Sequence, residues 1–439
     1  MASRVKLSEL CSEISYGYTA SADSEVVGPK FLRITDIQGG VVNWDEVPYC
    51  KVDEKNLAKN LLKKGDIVVA RTGNSTGENY IFEADDDAVF ASYLIRFRVN
   101  PELANPYFVW LQMRTHAWWN FVSGAKGGSA QAGANAKILG LFEVELPERN
   151  IQDKIVSIVF DYFNKIELNR QTNQTLEQMA QALFKSWFVD FDPVIDNALA
   201  AGNDIPEALQ HKAEQRAIYK EKAQQLAVSP ETKSKPLPDD IRALFPSEFE
   251  QTDDPSIGVA GWIPKGWSSI YLSDLLDVKY GKDHKKLDEG EYPVYGSGGL
   301  MRRVDKFLYE GESVLIPRKG TLSNIMYVNE TFWSVDTMFF TIPKLPNVAK
   351  FTFYLLKRLN FDNMNVGSAV PSMTTKVLNA LPVVCPSESV LAKFDEIMDL
   401  YFSKIQANQA STNQLEQLRD SLLPKLISGE ITLSNKDVA

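Results

Sequence analysis

The stretch FNKIELNRQTNQTLEQ, residues 163–178, recurs without gaps as FSKIQANQASTNQLEQ, residues 402–417. The same offset aligns ILGLFEVELP, residues 138–147, with VLNALPVVCP, residues 377–386. A repeat that keeps one offset over two separate stretches indicates that the chain contains two copies of one structural plan.

Each copy is predicted to consist of a β-rich domain followed by a long helix. Segments such as Asp66–Ala70 and Ser313–Pro317 are short, rich in Val and Ile, and bounded by turn-forming residues, which is typical of strands. After Pro147 and Pro386 the apolar residues recur with the period of a helix. The sequence therefore predicts two β-rich domains and two long helices.

Apolar and amide side chains recur at spacings of three and four along both helices, which is the pattern of a coiled-coil seam. Matching seams favour pairing of the two helices, although each helix could instead pack only on its own domain. Asn169 and Asn408 occupy corresponding positions, where a buried polar pair would fix the register. The predicted seam comprises Ile155, Tyr162, Ile166, Asn169, Leu176 and Leu183, and Phe394, Tyr401, Ile405, Asn408, Leu415 and Leu422.

Residues 192–256 form an acidic stretch with several prolines between the two copies, and they are predicted to be a linker. A charged helix within it, near residues 207–226, is predicted to be solvated. A linker of this length lets the chain return, so that the second helix runs antiparallel to the first. The predicted fold is α+β, with pseudo-two-fold symmetry and the β-rich domains at opposite ends of the helices.

Composition indicates a folded protein of more than one domain. The chain has 439 residues, of which 44% are hydrophobic and 24% charged, with a net charge of −10. Cys11, Cys50 and Cys385 are too few and too far apart for a disulfide framework and suit a reducing compartment. The sequence shows no secretory leader and no apolar run long enough to cross a membrane, so we expect a cytoplasmic protein without a membrane partner.

The motif search finds no convincing catalytic or metal-binding pattern. Phosphate loops, dinucleotide fingerprints and the H-E-x-x-H pattern are absent, and His116, His211 and His284 are widely separated. The segment Asn105–Phe108 resembles the N-P-P-[YF] loop of adenine methyltransferases, but it lacks the second proline. We interpret it as a helix start with Asn105 as the N-cap. The motif search therefore predicts no catalytic, metal or cofactor site in this chain.

The order of β-rich domain, long helix, linker, β-rich domain and long helix resembles the specificity subunit of type I restriction–modification enzymes. The likeness extends over essentially the whole chain. It is carried by the Leu-Pro boundaries at 146–147 and 381–382, by GWIPKGW at 261–267 and by LLPKLISGEI at 422–431.

This resemblance implies that each β-rich domain is a target recognition domain for one half of a bipartite double-stranded DNA site. It also implies that the coiled coil sets the gap between the half-sites and docks two adenine-N6 methyltransferase subunits, with up to two motor–nuclease restriction subunits joining them. S-adenosylmethionine, ATP and Mg²⁺ would then belong to those partners. The alternatives are a protein-binding adaptor with a coiled-coil spacer and a catalytic methyltransferase.

The corresponding domain boundaries follow from the repeat and the resemblance together. They are 1–149 for the first recognition domain, 150–191 for the first spacer helix, 192–256 for the linker, 257–387 for the second recognition domain, 388–432 for the second spacer helix and 433–439 for the tail.

Two loops in each half carry the side-chain types that read bases or hold phosphates. The first loop follows a buried strand in each copy, at 71–77 and 318–324, and the second lies at 123–137 and 367–376. Lys137 and Lys376 recur at the same place, which favours a shared phosphate contact, whereas flexible polar turns are the alternative interpretation. The candidates in these loops are Arg71, Thr72, Asn74, Ser75, Lys126, Gln131, Asn135, Lys137, Arg318, Lys319, Ser323, Asn324, Ser372, Thr374 and Lys376. Arg302 and Arg303, near Gly296–Gly299, are further candidates, with a solvated face as the alternative interpretation.

Overall fold

The structure is a computed structural model that describes residues 3–125, 134–226, 237–319, 322–359 and 373–431, with only the backbone described for 219–226. The chain divides into two compact units. Unit 1 comprises Met1–Arg170 and Asn408–Ala439, and unit 2 comprises Gln171–Ala407. Two helices of 40 residues each, α6 (Arg149–Phe188) and α13 (Glu388–Ile427), contribute to both units.

Unit 1 contains a four-stranded antiparallel sheet of order β2-β7-β4-β5, a parallel pair β3-β6 and an antiparallel pair β1-β8. Its elements are β1 (Ser3–Lys6), α1 (Leu7–Leu10), β2 (Cys11–Tyr16), β3 (Lys30–Leu32), α2 (Glu54–Asn60), β4 (Asp66–Ala70), β5 (Asn79–Ile81), β6 (Ala88–Phe90), β7 (Leu94–Val99), α3 (Pro106–Gln112), α4 (His116–Ala125), α5 (Ala136–Leu139) and β8 (Glu143–Leu146), with a single 3-10 turn at Gln38–Gly40.

Unit 2 contains a six-stranded sheet of order β12-β17-β15-β16-β13-β14 and two antiparallel pairs, β11-β18 and β10-β9. Its elements are α7 (Asp192–Ala201), α8 (Glu207–Leu226), α9 (Asp239–Arg242), β9 (Phe249–Gln251), β10 (Trp262–Pro264), β11 (Ser268–Tyr271), α10 (Leu272–Leu275), β12 (Leu276–Tyr280), β13 (Tyr292–Gly296), β14 (Gly299–Val304), β15 (Tyr309–Pro317), β16 (Met326–Ser334), β17 (Met338–Pro343), α11 (Ala349–Lys357), α12 (Thr375–Asn379) and β18 (Pro382–Cys385).

The two units share one pattern of strand pairing. In each, the first strand pairs with the strand that precedes the long helix, β1 with β8 and β11 with β18. Each unit also contains a parallel pair, β3 with β6 as a separate two-stranded sheet and β13 with β16 within the six-stranded sheet. The repeated plan inferred from the sequence is therefore present as a mixed α and β fold, built twice.

The long helices pair antiparallel within each unit. In unit 1, Phe163 lies against the guanidinium of Arg419 and Asn169 Nδ2 donates to Thr412 Oγ1, so later residues of α6 meet earlier residues of α13. In unit 2, Asn173 Nδ2 donates to the carbonyl oxygen of Ile405. The twelve predicted seam residues are all buried or half-buried.

The end of α13 completes the core of unit 1. Leu423 and Leu426 are buried in the same apolar cluster as Leu7 and Ile155, and Ile431 packs at its margin. Residues far apart in the sequence therefore form one hydrophobic core.

The charged helix of the acidic segment, α8, is only partly solvated, whereas the sequence predicts a solvated helix. Leu209 and Ala213 of α8 are buried in a small apolar cluster with Ile195 of α7. Acidic side chains of this segment are neutralised locally, because Asp192 and Asp196 both pair with Arg216. Helix α8 therefore packs on the domain despite its charged composition, because its apolar residues are buried and its charged residues form ion pairs.

Unit 2 buries one lysine among three carboxylates. The Nζ atom of Lys350 on α11 lies 2.7 Å from a carboxylate oxygen of Glu312 on β15. It lies 2.9 and 3.0 Å from carboxylate oxygens of Asp395 and Asp399 on α13.

In unit 1, the rings of Trp110 on α3 and Phe163 on α6 are in contact and join the β-rich domain to the long helix.

No helix in the described ranges is long and apolar enough to cross a membrane.

Candidate DNA interface

An arginine stacks on an exposed tyrosine where β4 ends in unit 1. The guanidinium carbon of Arg71 lies 5.0 Å from the ring centre of Tyr16 and 6.0 Å from that of Tyr93. Arg71 Nε donates to the carbonyl oxygen of Ser92, whereas Nη1 and Nη2 have no hydrogen-bond partner among the described residues. The side chain is therefore held in place while its terminal donors stay available.

The same arrangement recurs where β15 ends in unit 2. The guanidinium carbon of Arg318 lies 5.1 Å from the ring centre of Tyr280 and 5.8 Å from that of Phe339. Arg318 Nη1 donates to the carbonyl oxygen of Asp336. We call each stack, Tyr16 with Arg71 and Tyr280 with Arg318, a Tyr–Arg element.

A glycine after each tyrosine is required by close backbone packing. A Cβ atom on Gly17 would lie 2.2 Å from the carbonyl oxygen of Phe90, and one on Gly281 would lie 2.0 Å from that of Val335. Glycine lets the strand end pass directly over a neighbouring backbone. The Tyr-Gly dipeptide thus sets the position of each ring.

The two candidate loops of each unit meet at the Tyr–Arg element. The amide of Ala134 donates to the carbonyl oxygen of Arg71, and the amide of Met373 donates to that of Arg318. In unit 1 the amide of Ala136 also donates to the Tyr16 hydroxyl. In each unit, the described end of the second loop therefore adjoins the first loop.

The remaining candidates of the second loop fall at short helices. Asn135 and Thr374 are N-caps of α5 and α12, and their side-chain oxygens accept from the amides of Ile138 and Val377. Lys137 is the second residue of α5 and Lys376 the second residue of α12, and both side chains are exposed. Lys126, Gln131 and Ser372 lie outside the described residues.

In the first loop of unit 1, Asn74 is exposed, Thr72 is half-buried and Ser75 accepts a hydrogen bond from Gln38. In the first loop of unit 2, Lys319 and Ser323 are exposed. Arg71 and Arg318 themselves are half-buried.

Asn324 and the arginine pair at 302–303 serve the fold directly. Asn324 Nδ2 donates to the carbonyl oxygen of Ser297. Arg302 donates to the carbonyl oxygens of His284 and Leu287, and Arg303 to that of Glu291. These donors hold the β13–β14 hairpin to its surroundings.

The tyrosines of the Tyr–Arg elements were missed among the candidates drawn from the sequence. Tyr16 is 42% exposed and Tyr280 49% exposed, so each ring is accessible beside its arginine. The repeated Tyr-Gly dipeptide was the available clue, but a stack on an arginine far along the chain depends on strand pairing.

Comparison with known proteins places the chain in a family. Residues 5–178 and 264–417 match the model of the type I restriction modification DNA specificity domain. The chain is 26% identical to the type I restriction enzyme HindI specificity subunit of Haemophilus influenzae, over 97% of this chain and 98% of that protein. It is 23% identical to the MjaIX specificity subunit of Methanocaldococcus jannaschii, over 84% of this chain and 75% of that protein.

The fold is also found among solved structures. The S subunit of a type I restriction–modification system from M. genitalium superposes with a TM-score of 0.55 at 17% identity, covering 97% of this chain and 96% of that one. The chain belongs to the family of type I restriction–modification specificity subunits. It carries two copies of the DNA specificity domain and is a non-catalytic DNA-recognition subunit.

Proposed function

We propose that each unit reads one half of a bipartite double-stranded DNA target through the face that carries its Tyr–Arg element. The observation that supports this most is the duplication: the same stack, on the same strand end, with the same adjoining loop, occurs in both units. Family membership favours this function over a protein-binding adaptor or a catalytic methyltransferase. We expect the protein to act in the cytoplasm on chromosomal DNA.

The arginine of each element is suited to a base or phosphate contact. A guanidinium presents donors in a fixed fork that matches guanine O6 and N7 in the major groove, or a phosphate. Stacking on an aromatic ring orders the side chain before binding, so less conformational entropy is lost on the DNA. Lys137 and Lys376 are exposed, and we assign them to phosphate contacts together with the polar side chains of the first loops.

Replacing each arginine tests this assignment. Arg71→Gln should weaken binding of the complete methyltransferase complex by about 1–3 kcal/mol and relax specificity in the first half-site alone. Arg318→Gln should do the same in the second half-site alone. Dissociation constants on duplexes with one altered half-site measure both effects. Arg4→Gln, which removes an exposed surface ion pair in unit 1, is the control and should leave both half-sites unchanged.

We further propose that α6 and α13 set the gap between the half-sites and dock two adenine-N6 methyltransferase subunits, to which up to two restriction subunits can add. S-adenosylmethionine, ATP and Mg²⁺ would be bound by those partners. Two observations support a spacer role. Both helices are continuous over 40 residues, and side-chain amides of α6 donate hydrogen bonds to α13 in each unit.

Lengthening the helices tests the spacer role. Seven residues inserted in α6 after Arg170, with seven inserted in α13 before Asn408, add about 10 Å of helix. The preferred gap should then lengthen by about three base pairs, because successive base pairs of B-DNA are about 3.4 Å apart along the axis. Mapping of methylated sites measures the gap. The same insertion in the exposed loop at Asp85–Asp86 should leave it unaltered, and an unaltered gap in the helix variant would count against a spacer.

The whole proposal is tested by co-expressing the chain with the adenine methyltransferase encoded beside it and mapping N6-methyladenine across the host genome. A split motif with a fixed gap is the expected result. Co-purification without any motif would support docking but not recognition, and failure to associate would favour an adaptor.

A further inference from the structure

The β13–β14 hairpin of unit 2 exposes two adjacent large apolar side chains. Leu300 is 56% exposed and Met301 is 57% exposed. Single exposed apolar residues are ordinary on a protein surface. This pair, however, follows a turn that is tied to the first loop of unit 2, because Asn324 donates to the carbonyl oxygen of Ser297.

A β-bulge brings both side chains out of the sheet. The register pairs Val294 with Arg302 and Tyr295 with Leu300, so that Met301 is left without a partner on β13. A bulge of this kind interrupts the alternation of faces and re-aims a side chain. The exposure of two consecutive residues is therefore a built feature of the hairpin.

The edge of β14 is poorly suited to receive a strand from another protein. β14 ends the six-stranded sheet, and Arg302 and Arg303 follow the apolar pair. Charged side chains and bulges on an edge strand are features that prevent pairing with another strand. Arg302 and Arg303 also donate hydrogen bonds to backbone carbonyl oxygens, which keep the hairpin rigid. Rigidity suits a segment that binds DNA, because a binding site must hold its side chains in a defined geometry.

The equivalent segment of unit 1 lies at the same place but is more polar. After β3, Gln38 donates to Ser75 of the first loop, and Gly39 and Gly40 follow. The exposed apolar residue there is the smaller Val41. In both units the segment after the parallel strand therefore adjoins the arginine loop, and in unit 2 it presents the larger apolar surface.

We propose that the β13–β14 hairpin enters the major groove of the second half-site and packs Leu300 and Met301 against the C5 methyl groups of thymine. This inference rests on the proposed function, in which unit 2 reads DNA. The major groove admits a two-stranded β-ribbon, and the thymine methyl is the apolar group displayed on its floor. Unit 2 thus recognises part of its target by apolar contact in addition to hydrogen bonds.

Deoxyuridine substitution tests the contact, because uracil lacks the thymine methyl but keeps its hydrogen bonds. Each thymine of the second half-site is replaced in turn, and binding of the complete methyltransferase complex is measured for the wild type and for Leu300→Ser/Met301→Ser. A half-site that holds a methylated adenine contains at least one thymine on the opposite strand, so a substitution site always exists. The wild type should lose about four-fold in affinity at a contacted thymine, and the variant should lose nothing further there.

Two controls make the result decisive. Thymines of the first half-site should affect both proteins equally, and Leu345→Ser, an exposed apolar position of unit 2 outside the hairpin, should behave as the wild type. Equal sensitivity of wild type and variant throughout the second half-site would overturn the inference while leaving the proposed function intact. A variant that bound DNA normally but lost a protein subunit would also overturn it, since a protein would then cover the hairpin. Absence of any split motif for the wild type would instead refute the proposed function.

Discussion

Replacing Leu426 with alanine is expected to destabilise unit 1 by about 2–5 kcal/mol, although Leu426 follows the whole of unit 2 in the sequence. The side chain is 5% exposed and belongs to the same buried cluster as Leu7 and Ile155. Truncation removes its apolar contacts and leaves a cavity in a core that is otherwise closed. Urea unfolding of the full chain measures the loss.

Hydrogen exchange locates the effect, which should appear in β1, β8 and the start of α6 while unit 2 keeps its protection. Leu418→Ala, an exposed position on the same helix, is the matched control and should change stability by less than about 0.5 kcal/mol. Equal losses in the two variants would show that the end of α13 does not support the core of unit 1.

Replacing Lys350 with methionine is expected to destabilise unit 2 by about 3–5 kcal/mol. Burial by itself lowers the pKa of Lys350, but the hydrogen bonds that its ammonium group donates to Glu312, Asp395 and Asp399 outweigh burial and raise the pKa above its ordinary value. The ammonium group therefore stays charged, and its removal leaves the carboxylates of Glu312 and Asp395 without their shared counter-ion.

Urea unfolding of the Lys350→Met variant again gives the magnitude, with hydrogen exchange of α11 and β15 as the local readout. Lys357→Met is the matched control, since Lys357 makes a more exposed ion pair with Glu177 and should cost at most about 1 kcal/mol. Adding Glu312→Gln and Asp395→Asn to Lys350→Met should recover part of the loss, because neutral groups need no counter-ion. No recovery would indicate that packing of the lysine stem, and not charge, holds the site.

The architecture was predictable because its strongest patterns are local. The repeat at 163–178 and 402–417 and the helical periods around it predicted two long helices, and both are present. Asn105 accepts from the amides of Tyr107 and Phe108, as expected for an N-cap. Capping and periodicity depend on neighbours within a few residues, so a single sequence contains them.

The finer arrangement of the candidate interface was only partly predictable. The sequence predicts Arg71 and Arg318 as candidates because each is a cation directly after a buried strand. Tyr16 and Tyr280 contact them only because strands that are distant in the sequence pair with each other, which a single sequence does not reveal. Arg302 looked available as a DNA contact, but two carbonyl oxygens accept from its guanidinium. Composition predicts a linker at 192–256, but it does not reveal that Val194 and Phe245 belong to the core of unit 2.

The packing of residues 422–431 on unit 1 also orders events during protein synthesis. The ribosome makes this segment after all of unit 2, so the N-terminal domain emerges with part of its apolar core uncovered. Domains generally fold as they emerge, N-terminal first, but this one must wait for the distal helix end before it closes. A chain interrupted anywhere in unit 2 would therefore present an incomplete N-terminal core to chaperones and proteases, and fragments that carry only the first DNA specificity domain would be removed.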